Sequence, residues 1–208
     1  MARPFLTDAA KAALLSAVRD VEAKSRAEVV IVVRPASARY REAALTGALV
    51  GVFAALAVML YSPWVFGLAW FLVDPALAGL LAGLAVHHSP FLVRRLTAAA
   101  SRREAVHRAA LATFVERGVT ATRERTGLLL YVSLLERRAE VVADRGILAA
   151  VGPTTWARQV EALVAAVDSG ANGETIAGHL RGLGEPLAQT LPVGDDDVNE
   201  LPDEVVAS

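Results

Sequence analysis

The sequence predicts an α/β domain of the α+β type, with a mixed β-sheet and flanking helices. It is assembled from both ends of the chain around an inserted two-helix transmembrane hairpin. Three observations lead there. The stretch Ala43–Val86 holds one charged residue, Asp74. Two apolar runs of strand length, EVVIVV (Glu28–Val33) and GLLLYVSL (Gly127–Leu134), lie on either side of it. Segments with apolar residues at helical spacing flank both runs.

The 208 residues carry a net charge near −1, with no basic surface of the kind that binds nucleic acid. Cysteine is absent, which excludes disulfides and thiolate chemistry and fits a reducing compartment. Met1–Asp8 leads into a segment carrying Lys11, Arg19, Asp20, Glu22 and Lys24. A secretory signal would place an unbroken apolar run there, so the chain is expected to begin in the cytoplasm.

Thr7 is a plausible N-cap for a helix from Asp8 to about Lys24, with Leu14, Val18 and Val21 as its apolar stripe. Glu28–Val33 reads as a strand covered on both faces, ended by Pro35. About 20 apolar residues cross a hydrocarbon core of roughly 30 Å, and Ala43–Tyr61 supplies one such run. For the return pass two placements compete. Either the chain turns at Ser62-Pro63 with Asp74 near the bilayer centre, or Ser62–Val73 is an interfacial loop and the span runs from about Pro75 to Leu92. The second is favoured. Asp74-Pro75 suits a helix start, Tyr61, Trp64, Phe66, Trp70 and Phe71 resemble a headgroup belt, and a midplane Asp costs roughly 3 kcal/mol.

Arg34, Arg39 and Arg41 precede the first span, and Arg94, Arg95, Arg102 and Arg103 follow the second. The loop between them has no Lys or Arg, so both flanks are expected on the cytoplasmic side, with both termini there.

Thr97–Arg123 reads as one long helix with Val106, Ala110 and Phe114 on a shared face. Gly127–Leu134 and Ala139–Ala143 read as an antiparallel hairpin turning at Glu136-Arg137-Arg138. Two helices follow: Pro153–Asp168, with Trp156, Val160, Leu163, Val164 and Val167, and about Gly173–Leu191, with Ile176, Leu180, Leu183 and Leu187. The acidic tail after Pro192 reads as disordered. The organisation is thus residues 1–42 and 94–192 as one domain, 43–93 as the hairpin and 193–208 as the tail. The first strand cannot bury its faces alone, so it is expected to join the others, parallel to Gly127–Leu134.

The run RTGLLLYVSLLERRAEVVADRGI (Arg125–Ile147) resembles the core hairpin of the TPM-domain family. The opening LTDAAKAALLSAVRDVEAKSRAEVVIVV (Leu6–Val33) is similar to that domain's first helix and strand, and DDVNELPDEVV (Asp196–Val206) resembles the tail of membrane-bound bacterial relatives. The resemblance implies a TPM-like fold at the bacterial inner membrane. It also implies two possible roles. Some members are acid phosphatases with a divalent-cation site, which would make a cation such as calcium the cofactor. Others have no defined reaction, and thylakoid members serve photosystem maintenance. Relatives often carry Asp-Asn-Gly before the central strand, where acidic oxygens suit a hard cation. Here those positions read Arg125-Thr126-Gly127, and a guanidinium repels a cation.

Asp144, after the third strand, is a candidate catalytic or metal-site acid, and Glu28 at the mouth of the first strand could join it. The plainer reading of Asp144-Arg145-Gly146 is a turn in which Asp caps the chain and Gly146 supplies positive φ. Glu136, Arg137 and Arg138 read as a solvated hairpin tip. His87 and His88 point about 100° apart on one helix, which suits no shared ion. His107 and His179 read as boundary residues, and Ser133 has no nucleophile-elbow glycines. No phosphate-binding loop, dinucleotide fingerprint or zinc pattern is present. The expected role is a non-enzymatic accessory module, with no cofactor, whose partners are the lipid bilayer and a membrane protein. A metal-dependent acid phosphatase is the alternative.

Overall fold

The computed structural model describes residues 7–194, 200–202 and 205–207. Two compact units result: residues 1–37 with 104–208, and residues 38–103.

The first unit is a mixed α/β domain. Helix α1 (Asp8–Glu22) starts as its sequence predicts, with the Thr7 hydroxyl accepting from the Ala10 N–H at 3.0 Å. Strand β1 (Glu28–Arg34) is buried along nearly its whole length. It pairs in parallel with β2 (Gly127–Ser133), from Glu28 opposite Gly127 to Arg34 opposite Ser133. β2 pairs antiparallel with β3 (Arg138–Ala143).

Period-two alternation sends β1 and β2 side chains to two cores. Val29, Ile31, Val33, Leu128, Leu130 and Val132 pack with Leu14, Val18 and Val21 of α1 and with two later helices, Pro153–Asp168 and Gly173–Thr190. Val30, Val32, Leu129 and Tyr131 pack with Val106, Ala110 and Phe114 on the opposite face. A sheet covered on both sides explains why the interiors of both strands, Val29–Val33 and Leu128–Val132, are apolar at successive rather than alternate positions.

The segment expected to form one helix over Thr97–Arg123 is broken. A short helix, Pro90–Leu96, ends at Thr97, and the next runs only from Ala99 to Glu116. Gly118 then adopts φ 67°, a left-handed stop, and a 3-10 turn covers Val119–Ala121.

The tail also departs from expectation. Val205–Ala207 forms β4, parallel to β1 on the side away from β2, giving the sheet order β3-β2-β1-β4. Its shortness, three residues in an otherwise acidic stretch, hid this strand, which relies on the waiting edge of β1. Positions 195–199, 203, 204 and 208 of the tail lie outside the described residues.

The second unit holds α2 (Arg41–Tyr61) and α3 (Trp70–His88), both long and apolar enough to cross a membrane. At 1.5 Å per residue they measure about 31 and 28 Å. α3 begins five residues before the favoured start at Pro75, so Asp74 is a half-buried residue inside the helix and not its N-cap. The apolar run Trp70–Val73 extends the helix backwards, and Pro75, only six residues in, removes a single backbone bond. The span does not reach Leu92. α3 stops at His88, and Ser89 caps the next helix, α4 (Pro90–Leu96), by accepting from the Leu92 N–H at 3.4 Å.

Small residues bring α2 and α3 together. A Cβ on Gly51 would stand 2.7 Å from the Ala78 carbonyl oxygen, and one on Gly79 would stand 2.6 Å from Val52 Cγ2. The opposite faces present Leu45, Leu49, Phe53, Leu77, Leu80 and Leu84 uncovered, as a lipid-facing surface would.

Candidate functional site

One end of the sheet gathers the residues singled out from sequence. Glu28 opens β1, Gly127 opens β2, and Asp144 follows β3, its N–H donating to the Gly127 carbonyl at 2.9 Å. By strand alternation Glu28, Gly127 and Asp144 share the sheet face of Val30, Val32 and Leu129. The two carboxylates therefore stand in one row, separated by β2. Two strand spacings put them roughly 10 Å apart. The gap is closed. The Val119 carbonyl oxygen lies where a Gly127 side chain would start, 2.0 Å from an ideal Cβ. The Val119 backbone thus stands over the strand that lies between Glu28 and Asp144.

Each carboxylate has its own employment. Asp144 is buried and caps helix α6 (Arg145–Val151), accepting from the Arg145 N–H at 2.7 Å. Its Oδ2 has no hydrogen bond but lies 3.5 Å from Nη1 of Arg125. Arg125 itself sits at φ 58°, and the same Nη1 donates to the Thr120 carbonyl at 2.7 Å. The Arg125 carbonyl accepts from the Gly146 N–H at 2.9 Å. Gly146 serves by close approach and not, as expected, by positive φ: a Cβ there would meet the Glu124 carbonyl oxygen at 2.3 Å. The Arg125 side chain therefore supplies the positive charge beside Asp144. Arg145 is exposed and contributes only its N–H.

Glu28, 7% exposed, holds the tail. Its Oε1 accepts from the Glu200 N–H and its Oε2 from the Leu201 N–H, each at 3.2 Å. Glu200 in turn accepts from the Arg123 N–H at 2.8 Å. Two charge-assisted bonds to consecutive backbone amides make Glu28 a clamp on the main chain at Glu200–Leu201.

The opposite end of the sheet corrects the solvated-tip reading of Glu136. That residue is 2% exposed. It accepts from the Ser133 hydroxyl and, at 3.0 Å, from the Ser37 N–H. Ser37 Oγ lies 3.2 Å from the Tyr131 hydroxyl. Burial pushes the Tyr131 phenol above its ordinary pKa, against the lowering effects of the Ser37 hydrogen bond and the Arg34 charge. Arg137, at φ 52°, is exposed, and Arg138 reaches Asp168 at 3.4 Å. The network ties the segment after β1 to the β2–β3 turn, where the Leu134 and Leu135 N–H groups also donate to the Arg34 and Pro35 carbonyls. Ser133 is thereby a structural donor.

The histidines stay apart. His87 and His88 are exposed neighbours with rings edge to face at 5.0 Å, His107 pairs with Glu140 at 3.0 Å, and His179 is half-buried. Among the described residues no three His, Cys, Asp or Glu side chains are grouped to hold a metal ion. Sequence reasoning missed Ser37 and the Glu200–Leu201 backbone, which carry no side-chain motif for these roles.

No family model matches this chain, and no curated protein does. Among solved structures it is similar to the NMR structure of BA42 protein from the psychrophilic bacterium Bizionia argentinensis. The identity is 16% and the TM-score 0.60, over 100% of this chain and 99% of the other. At that identity the likeness is one of fold.

Proposed function

We propose that this protein is a membrane-anchored, TPM-type domain that acts as a non-enzymatic accessory or interaction module for other membrane proteins at the bacterial inner membrane. The observation that carries the reading is the employment of both candidate acids. Glu28 binds backbone amides of the tail, and Asp144 caps a helix beside the Arg125 guanidinium. A carboxylate already neutralised by an internal arginine is a poor ligand for a hard cation. The paired apolar helices α2 and α3 support the anchor.

The competing reading is a metal-dependent acid phosphatase, and one observation favours it. Asp144 Oδ2 is buried without a hydrogen bond and would offer an oxygen if Arg125 swung away. The two readings separate by experiment. Calorimetric titration of the purified protein with calcium and magnesium should give no stoichiometric binding. Phosphomonoester hydrolysis should stay at background in the wild type and in Asp144→Ala. Stoichiometric binding, or hydrolysis abolished by that substitution, would promote the phosphatase.

Orientation has its own test. The arginines flanking the hairpin, and their absence from the Ser62–Ala69 connection, favour both termini in the cytoplasm. Reporters fused before Met1 and at Ser208 should signal cytoplasm, and one inserted near Gly67 the opposite side. A terminus found outside overturns the orientation.

A further inference from the structure

The far edge of β1 is already occupied, and the occupant shows what the edge selects. We propose that this edge, with the Glu28 clamp, is a strand-addition site for an extended acidic–apolar peptide. In this proposal the chain's own tail is the resident ligand and the tail of a second copy is its exchange partner. The inference rests on the reading of the domain as an interaction module and names the surface that module would use.

Four features define the site. The β1 backbone offers parallel ladder bonds, with Ile31 opposite Val205 and Val33 opposite Ala207. Glu28 receives two consecutive backbone N–H groups, at Glu200 and Leu201. That contact recognises main-chain amides and not a side chain. Arg123 supplies an acid-reading position, its N–H on Glu200 Oε2 at 2.8 Å with Nε 4.0 Å from Oε1. Leu201 and Val206 pack against the core of Val30, Val32 and Phe114, and Val205 against the other core. Main-chain bonds giving affinity and alternate pockets giving selectivity are the two components of strand addition.

The attachment is separable from the fold. The last helix, α8 (Gly173–Thr190), is anchored beyond its end, where the Arg26 N–H donates to the Leu191 carbonyl at 3.0 Å and Ser25 bridges to Pro192. Beyond that anchor the strand contributed by the tail is three residues long. Both sheet cores are otherwise complete with residues that precede Pro192, Leu201, Val205 and Val206 being only partly buried additions. A three-residue strand on a preformed edge is the arrangement in which exchange between copies has a low cost.

The test uses the full chain in detergent and a fluorescent peptide with the sequence of residues 198–208. In Val206→Asp the resident tail should leave the edge, and the peptide should bind saturably. Wild type should bind it more weakly, because its own tail competes. Adding Glu28→Gln to Val206→Asp should weaken binding about tenfold or more, as losing charge-assisted bonds to two amides implies. A peptide of the same composition in scrambled order should not bind. Absence of saturable binding to a protease-resistant Val206→Asp chain, or binding indifferent to Glu28→Gln, overturns the proposal. Should Val206→Asp lose its fold, wild type carries the test: excess peptide must then expose the 193–207 segment to an endoprotease, and unchanged digestion overturns the proposal. The metal titration and phosphatase assays decide the enzymatic question independently, so the two failures are distinguishable.

Discussion

Ile31→Asp should abolish the protease resistance of the α/β domain. Ile31 is 0% exposed. It stands in β1 between Leu130 on one side and Val205 on the other, in the core that also holds Leu14, Val18 and Leu180. An aspartate there meets only aliphatic neighbours. Ionised, it is an unpaired buried charge. Protonated, it still lacks hydrogen-bond partners and has lost the packing of the isoleucine. Either form costs several kcal/mol, against a total stability of about 5–15 kcal/mol for an ordinary domain. The control is Ile31→Val, which removes one methylene and should cost about 1 kcal/mol. Limited proteolysis of the purified protein is the measurement. Full resistance in the aspartate variant would mean that β1 does not hold the sheet together across the inserted hairpin.

That experiment bears on how the fold was legible. Glu28–Arg34 and Gly127–Ser133 are separated by the whole second unit, yet their pairing followed from one argument. A strand apolar on both faces must be covered on both, and the other strands of the chain were the available partners. The helices Asp8–Glu22 and Pro153–Asp168 were legible for a related reason: Thr7 and Pro153 mark their starts, and apolar residues recur at helical spacing. What escaped depended on partners distant in sequence. Glu136 looks like a surface residue at the head of a basic pair, and hydrogen bonds from Ser37 and Ser133 help to make its burial tolerable. Asp144 and Arg125 were both singled out, but their ion pair depends on the left-handed backbone at Arg125, which no composition rule forecasts. Glu28 reads from sequence as an acid available for chemistry, and in the fold its carboxylate accepts from the Glu200 and Leu201 amides. The candidate site was therefore legible as a list of residues and not as an arrangement.

The hairpin supplies the other large effect. Gly51→Leu should separate α2 from α3. A Cβ at position 51 would come within 2.7 Å of both the Ala78 carbonyl oxygen and the Ala82 Cβ, and neither atom belongs to a side chain that can swing aside. The opposing helix repeats the device at Gly79, where a Cβ would meet Val52 Cγ2 at 2.6 Å and the Ala48 carbonyl oxygen at 3.1 Å. If these helices cross a membrane, as proposed above, apolar burial gives them little drive to associate, because hydrocarbon is as apolar as leucine. Close backbone approach through small residues carries the contact instead. A leucine at position 51 must therefore displace a backbone, and overpacking of this kind costs about 1–3 kcal/mol or more. The absence of cysteine from the sequence makes a direct readout possible. A Cβ on Gly83 would lie 3.3 Å from the Ala48 Cβ, close to the separation a disulfide needs. The pair Ala48→Cys and Gly83→Cys should cross-link readily in the otherwise wild-type chain. Adding Gly51→Leu should slow cross-linking about tenfold or more, since each 1.4 kcal/mol is a factor of ten. Leu49→Ala, on the uncovered face, should leave the rate unchanged. Equal cross-linking with leucine at position 51 would show that the two helices are not held by this contact.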